Sequence, residues 1–169
     1  MSVPHERAGK PAEVVEHALA TIRRGGLLIV VDAKEREDEG DFICAAETIT
    51  PETIDFMLTH GRGVLCVPLG AEAAERLQLH PVVDDARNTA PHRTHFLTQV
   101  DHRDAGSGVS AENRAMTVQA LSNEDCRAGD FVRPGHVNPL LAKDRSEERR
   151  RGQECTSRWS PYPQKNTTP

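Results

Sequence analysis

The chain lacks the features that usually mark membrane proteins and nucleic-acid-binding proteins. Its 169 residues contain no apolar run long enough to cross a membrane, and residues 1–10 have no hydrophobic stretch after their charges. The net charge is −5, the pI is near 5.9, and no basic stripe is present. We therefore expect a cytoplasmic protein that binds a small polar molecule, with no nucleic-acid and no membrane partner.

Aromatic residues and paired cysteines are also scarce. Aromatics make up 4% of the chain, so a core must be built from aliphatic side chains. Cys44, Cys66, Cys126 and Cys155 lie far apart with no C-x-x-C pair, which favours reduced thiols over disulfides or a zinc site. The apolar neighbours of Cys66 should raise its pKa, which argues against an activated nucleophile.

The length fits one domain. Residues 1–143 carry the apolar periodicity, whereas residues 144–169 are polar, charged and rich in proline. We expect this last segment to be a divergent, disordered tail after a domain that is incomplete at its C-terminal end.

Helices and strands alternate along the first 143 residues. Helical spacing or capping signals predict helices over residues 11–24, 50–60, 71–79 and 110–122. Short apolar runs predict strands over residues 27–31, 42–46, 64–67 and 94–100. This order predicts an α/β (α+β) sandwich in which helices flank a mixed β-sheet within a single domain.

An acidic segment, DAKEREDEGD, occupies residues 32–41 between two runs that we expect to be buried strands. Composition alone favours a solvated loop, but a position at strand ends favours a ligand site. In an extended loop the alternating Glu35, Glu37, Glu39 and Asp41 would point to one side and offer oxygen ligands to Mg²⁺ or Mn²⁺. Arg36 would either neutralise them or reach a phosphate.

Two further segments are candidate sites with weaker signals. The turn at residues 105–108 leads into a helix with Ser110 as its N-cap, an arrangement that can bind phosphate, and Arg114 follows one helical turn later. His136 follows Pro134-Gly135, which predicts a rigid turn that fixes the imidazole, although a structural role is commoner for a histidine.

His92 and His95 form an H-x-x-H pair. This spacing suits metal binding only weakly, and two loop imidazoles are the favoured interpretation.

Four motifs in order resemble the 3,4-dihydroxy-2-butanone 4-phosphate synthases of riboflavin biosynthesis. The motifs are DAKEREDEGD (32–41), HGRGVLC (60–66), GVSAENR (108–114) and RPGHVNPL (133–140). The resemblance implies a homodimeric lyase that converts D-ribulose 5-phosphate, a sugar phosphate, into 3,4-dihydroxy-2-butanone 4-phosphate and formate with magnesium or manganese.

The resemblance also implies roles for individual residues. Glu37 looks like the metal-binding glutamate, which also contacts substrate, and Arg36 and Asp41 look like substrate contacts. Glu39 is similar to a proton-transfer acid, and His136 to the essential histidine. Ser107 falls where the family has a threonine hydroxyl near the substrate phosphate.

The match changes after residue 143. Arg150 is retained as a substrate-binding residue, but Gln153 stands where the family has a second metal-binding histidine, and its carbonyl oxygen is a weaker ligand. An alternative is therefore a truncated, catalytically impaired remnant that only binds metal or sugar phosphate or dimerises. A metal-dependent hydrolase or nuclease is disfavoured by the acidic charge balance.

Overall fold

The computed structural model describes residues 11–32, 35 and 38–143, which form helices and strands in alternation. The helices are α1 (Pro11–Arg23), α2 (Pro51–Gly61), α3 (Ala71–Arg76) and α4 (Ala111–Ser122). The strands are β1 (Leu28–Val31), β2 (Gly40–Ile43), β3 (Cys66–Leu69), β4 (Val100–His102) and β5 (Phe131–Leu141). Short 3₁₀ helices lie at Ala46–Thr48 and Ala128–Asp130.

The two longest described helices after α1 begin at hydroxyl caps, as the sequence predicts. The Thr50 hydroxyl accepts a hydrogen bond from the Thr53 amide at 3.3 Å, and the Ser110 hydroxyl accepts one from the Asn113 amide at 3.2 Å. Each cap satisfies a backbone N–H that the helix itself leaves unpaired. The start of α4 is therefore fixed directly after the glycine turn.

The main sheet has the order β3-β5-β4 and is mixed. β3 runs parallel to β5, with Cys66 opposite Asn138, whereas β4 runs antiparallel to it, with His102 opposite Phe131. The register slips between Val100 and Asp101. The predicted mixed sheet flanked by helices is confirmed.

Helices α2 and α4 and the loops around β3 enclose an aliphatic core with the sheet. Its most completely buried large apolar side chains are Ile54, Leu77, Leu97, Leu121, Val100 and Val137. Burial of one such side chain contributes roughly 1.5–3 kcal/mol. Thr117 is buried among them and joins α4 to β4, because its hydroxyl accepts a hydrogen bond from the His102 amide at 2.9 Å.

The expectation that β1 and β2 are buried strands is wrong. They pair only with each other within the described residues, as an antiparallel hairpin, and Ile29 and Val31 are 66% and 63% exposed. The hairpin packs on α2 through Phe42, whose ring lies 5.5 Å from that of Phe56. The continuous apolar run at residues 27–31 predicts a strand that is buried on both faces. The described part of this chain covers the hairpin only incompletely.

The predicted strand over residues 94–100 is mostly irregular. Regular pairing starts only at Val100, because the Leu97 amide donates to the Pro139 carbonyl and the Thr98 amide donates to the His80 carbonyl. Phe96 and Leu97 form isolated bridges. Helix α3 is also shorter than predicted, and Gln78 just beyond it adopts a left-handed φ of 52°.

Candidate active site

His136 lies within strand β5 and not on a turn, which corrects the sequence-based expectation. Pro134 and Gly135 are strand residues, and a Cβ on Gly135 would overlap the carbonyl carbon of Val100 and the amide nitrogen of Asp101. Glycine therefore allows β4 and β5 to approach at the point where their register slips. Such an irregularity re-aims the side chains around it.

Asp101 holds His136 through two hydrogen bonds. Its Oδ1 accepts from the His136 backbone amide at 2.9 Å, and its Oδ2 lies 2.7 Å from the His136 Nδ1. The carboxylate side chain is 7% exposed, whereas the imidazole is 45% exposed. The fixed end of the imidazole thus points to a buried acid, and much of the ring remains accessible.

A glycine turn lies directly against the Asp101 carboxylate. Gly106 and Gly108 have φ values of 56° and 73°, which glycine adopts without strain. A Cβ on Gly108 would overlap the Asp101 carboxylate. Ser107 lies between these glycines, so the predicted phosphate-binding hydroxyl is part of a turn that contacts the residue holding His136.

Arg114 connects the turn to the histidine. Its Nε donates to the Val109 carbonyl at 2.9 Å, and its Nη1 donates to the His136 carbonyl at 3.2 Å. These two nitrogens bind backbone carbonyls, and support of anion binding by Arg114 stays a prediction. The guanidinium fixes the distance between α4 and β5.

The charge of Asp41, near the end of the acidic segment, acts on Cys66 in β3. Burial, and then the charge of Asp41, raise the pKa of the Cys66 thiol, which confirms the direction predicted for this cysteine. Cys66 is opposite Asn138, two residues after His136 in β5. The Asn138 side chain is fixed there, donating to the Leu65 carbonyl at 3.0 Å and accepting from Gln99 at 2.7 Å.

The described residues of the acidic segment do not form one extended strand. Glu35 is at a turn and Asp38 has a left-handed φ of 53°, so the continuous extended backbone on which the predicted alternation depends is not present there, and Glu37 lies outside the described residues. The Glu39 amide donates to Asp32 Oδ1 at 3.0 Å, and the Asp32 amide donates to the Glu39 carbonyl at 3.2 Å. These bonds close the loop just before β2.

Several predicted site residues lie outside the described residues: Arg36, Glu37, Arg150 and Gln153. The same applies to the predicted tail at residues 144–169. Within the described residues no three His, Cys, Asp or Glu side chains are arranged to hold a metal ion. His95 instead lies 3.3 Å from Asp85 on an exposed loop, in agreement with the favoured interpretation of the H-x-x-H pair.

Sequence reasoning missed Asp101 and Asn138. No spacing signal connects Asp101 to His136, which is 35 positions away, and none connects Asn138 to its partner Leu65, which is 73 positions away. The one available signal was a carboxylate directly after a predicted strand. Among the residues that the structure describes, no helix is long and apolar enough to span a membrane.

Comparison with known sequences places these motifs in one family. The family model of 3,4-dihydroxy-2-butanone 4-phosphate synthase matches residues 16–157. The riboflavin biosynthesis protein RibBA of Bacillus cytotoxicus is 51% identical over 138 residues, which are 82% of this chain and 34% of that protein. RibBA of Bacillus subtilis is 50% identical over 129 residues, 76% of this chain and 32% of that protein. The chain spans about a third of the length of these curated relatives.

Solved structures give the same answer. A crystal structure of 3,4-dihydroxy-2-butanone 4-phosphate synthase in complex with two magnesium ions is 34% identical, with a TM-score of 0.75, and the match covers 82% of this chain and 64% of that one. RibBX, a two-domain 3,4-dihydroxy-2-butanone 4-phosphate synthase from A. baumannii, is 39% identical with a TM-score of 0.71, over 76% of this chain and 38% of that one. This chain therefore belongs to the 3,4-dihydroxy-2-butanone 4-phosphate synthase family.

Proposed function

We propose that the chain is a lyase that converts D-ribulose 5-phosphate into 3,4-dihydroxy-2-butanone 4-phosphate and formate in riboflavin biosynthesis. The observation that carries the proposal is the contact between the glycine turn at residues 106–108 and the Asp101 carboxylate that holds His136. The turn brings an anion-binding element beside an oriented imidazole. A phosphorylated sugar that undergoes proton transfers requires both.

The turn and α4 would bind the substrate phosphate. The Ser107 hydroxyl and the backbone amides before the start of α4 are donors of the type that bind anions. This places the sugar carbons toward His136, whose Nε2 has no hydrogen-bond partner among the described residues. The imidazole can then take or return a proton at a carbon or hydroxyl next to the carbonyl.

The acidic hairpin would supply the remaining groups. The charge of Asp41 contributes to the raised pKa of the Cys66 thiol, and Cys66 lies in β3, which pairs with the strand that carries His136. In this proposal Arg36, Glu37, Asp41 and Arg150 contact the sugar, and Glu39 transfers a proton.

A divalent cation, Mg²⁺ or Mn²⁺, fits the donors of this region by chemistry. Carboxylate oxygens are the ligands these ions prefer, and the related structure named above contains two magnesium ions. Glu37 and Gln153 would hold the cation with a carboxylate and an amide oxygen. A cation held there would supply positive charge next to the developing negative oxygen of the sugar.

We also propose a cytoplasmic homodimer that uses neither nucleic acid nor membrane. The support for the dimer is the apolar hairpin of β1 and β2, on which Ile29, Val30 and Val31 are all exposed. Exposed apolar side chains in a row are typical of a protein–protein contact.

The test is an assay of formate release from D-ribulose 5-phosphate, with EDTA-treated protein to which Mg²⁺ or Mn²⁺ is returned. We expect release that depends on the added ion and is lost in His136→Gln. Gly129→Ala is the matched control, because a Cβ there meets no atom within 4 Å. A folded wild-type protein that binds the sugar phosphate but releases no formate would favour the impaired remnant instead.

A metal titration tests the ligand assignment separately. Calorimetry with Mg²⁺ or Mn²⁺ should give weaker binding by Glu37→Ala than by the wild type. Equal binding by both proteins would remove Glu37 from the metal site.

A further inference from the structure

We infer that Asp101 is a positioning residue for His136: it sets which ring nitrogen carries the proton, and Gly108 keeps the carboxylate in place. The catalytic consequence rests on the function proposed above, but the protonation pattern does not. Asp101 is 5% exposed, and the two hydrogen bonds of its carboxylate both go to His136.

The carboxylate fixes the imidazole at two points. One oxygen accepts the backbone N–H of His136, and the other lies 2.7 Å from Nδ1. An ionised carboxylate only accepts hydrogen bonds, so Nδ1 must carry a proton. In the neutral ring the lone pair is then on Nε2, the nitrogen without a described partner, and Nε2 can act as a base.

Neighbouring backbone prevents the carboxylate from moving away. Gly108 lies against both Asp101 oxygens and Gly135 lies against the Asp101 amide, each so close that a Cβ would overlap. Arg114 holds the His136 carbonyl from the other side at 3.2 Å. The pair is therefore constrained by β4, β5 and the turn before α4.

A purely structural role for Asp101 would make a different prediction. If Asp101 only joined β4 to β5, its necessary contact would be the hydrogen bond from the His136 backbone amide. An asparagine oxygen can also accept that hydrogen bond, so a structural role would be retained in Asp101→Asn. The asparagine amide group would then face Nδ1 as a donor. This reverses the ring, so that Nε2 carries the proton and can no longer accept one.

The experiment is long-range ¹H–¹⁵N NMR of the histidine rings at a pH where they are neutral, with the His136 signals assigned by their loss in His136→Gln. We expect the Nδ1–H tautomer in the wild type and the Nε2–H tautomer in Asp101→Asn. In the serine protease triad the equivalent change lowers kcat about 10⁴-fold. We expect formate release by Asp101→Asn to lose at least about 100-fold in kcat with a much smaller change in KM.

Two glycine variants separate displacement of the carboxylate from backbone strain. Gly106→Ala and Gly108→Ala both force alanine to a positive φ, but a Cβ at Gly106 meets only the side-chain Nδ2 of Asn113, at 3.6 Å. We expect the Nδ1–H signature to be retained in Gly106→Ala and lost in Gly108→Ala.

An Nε2–H tautomer in the wild type would overturn the inference, and so would an unchanged tautomer in folded Asp101→Asn. If that variant does not fold, the wild-type tautomer and the two glycine variants still decide it. A wild type that has the Nδ1–H tautomer but releases no formate would reject the proposed function and keep the positioning role.

Discussion

The Arg114 guanidinium bridges the carbonyls of Val109 and His136, at 2.9 and 3.2 Å. The first carbonyl directly follows the turn proposed to bind phosphate, and the second belongs to the strand that carries the proposed base. One side chain therefore sets the separation of two groups that a substrate would have to contact together.

Arg114→Lys should lower the stability of the fold. It should also lower the rate of formate release in protein that is still folded. A lysine amine cannot reproduce the two-point fork, and each hydrogen bond from a charged group contributes about 1.5–3 kcal/mol. We expect a lower urea midpoint and at least a tenfold loss of formate release in the variant that is still folded at low urea.

Arg87→Ala is the matched control, because Arg87 pairs with Asp84 on an exposed loop, where ion pairs contribute little. Both its urea midpoint and its formate release should remain near those of the wild type. Equal losses in the two variants would show that removal of any arginine has the effect assigned to Arg114.

Gly135→Ala should be among the most destabilising single substitutions in β5. The new Cβ would overlap backbone atoms of Val100 and Asp101, and backbone cannot rotate away as a side chain can. Overpacking of this kind typically costs about 1–3 kcal/mol or more. The measurement is the free energy of unfolding in urea, with Gly129→Ala as the control since its Cβ would meet open space. A stability equal to that of the control would contradict the close approach of β4 and β5 at Gly135.

The helix caps and the contact between Asp101 and His136 show which features could be predicted from sequence. The caps at Thr50 and Ser110 depend on neighbours three residues away, so local pattern predicted both helix starts. The bond between Asp101 and His136 joins residues 35 positions apart, and only the folded sheet brings them together. Pro134-Gly135 predicts a turn before His136, because Pro-Gly usually forms one. In the structure Gly135 instead leaves room for the close approach of Val100.

The exposure of the hairpin of β1 and β2 is a second feature that the sequence pattern did not predict. The apolar run of β1 was assigned to the interior because one chain was considered alone, and its exposure in this chain is explained if another surface covers it. Motif resemblance predicted the family correctly for a different reason, since four ordered motifs carry information that periodicity does not.

The free energy of unfolding should decrease as the pH rises above about 9. Burial raises the pKa of the thiols of Cys44, Cys66 and Cys126 above their ordinary value of 9.0. The folded state therefore favours the protonated thiols, and this stabilisation is complete below the unfolded value and is lost as the pH passes through the raised values. Urea titrations from pH 7 to 10 in reducing buffer would measure it; stability that rises over this range would contradict the assignment.

Asp41→Asn should make Cys66 react faster with iodoacetamide. Removing the Asp41 charge removes the second cause of the raised pKa, so more thiolate is present at a given pH. Peptide mass spectrometry resolves Cys66 from the other cysteines, and Glu39→Gln is the control, because Glu39 does not contribute to the shift. Equal rates in the two variants would show that the Asp41 charge does not act on the Cys66 thiol, and would remove this support for an acidic hairpin near β3.

Ile29→Lys should weaken the proposed dimer while the folded chain keeps its stability. Ile29 is 66% exposed, so a lysine at this position is solvated in the isolated chain. In an apolar contact between two copies, the lysine of each copy would be an unpaired buried charge. Sedimentation velocity over a range of concentrations should give at least a tenfold larger dissociation constant, roughly 1.4 kcal/mol. Val64→Lys is the matched control, since Val64 is 69% exposed and lies outside the hairpin. If Ile29→Lys dimerises as well as the wild type, the hairpin is not the dimer contact, and its exposed apolar side chains must be covered by some other partner.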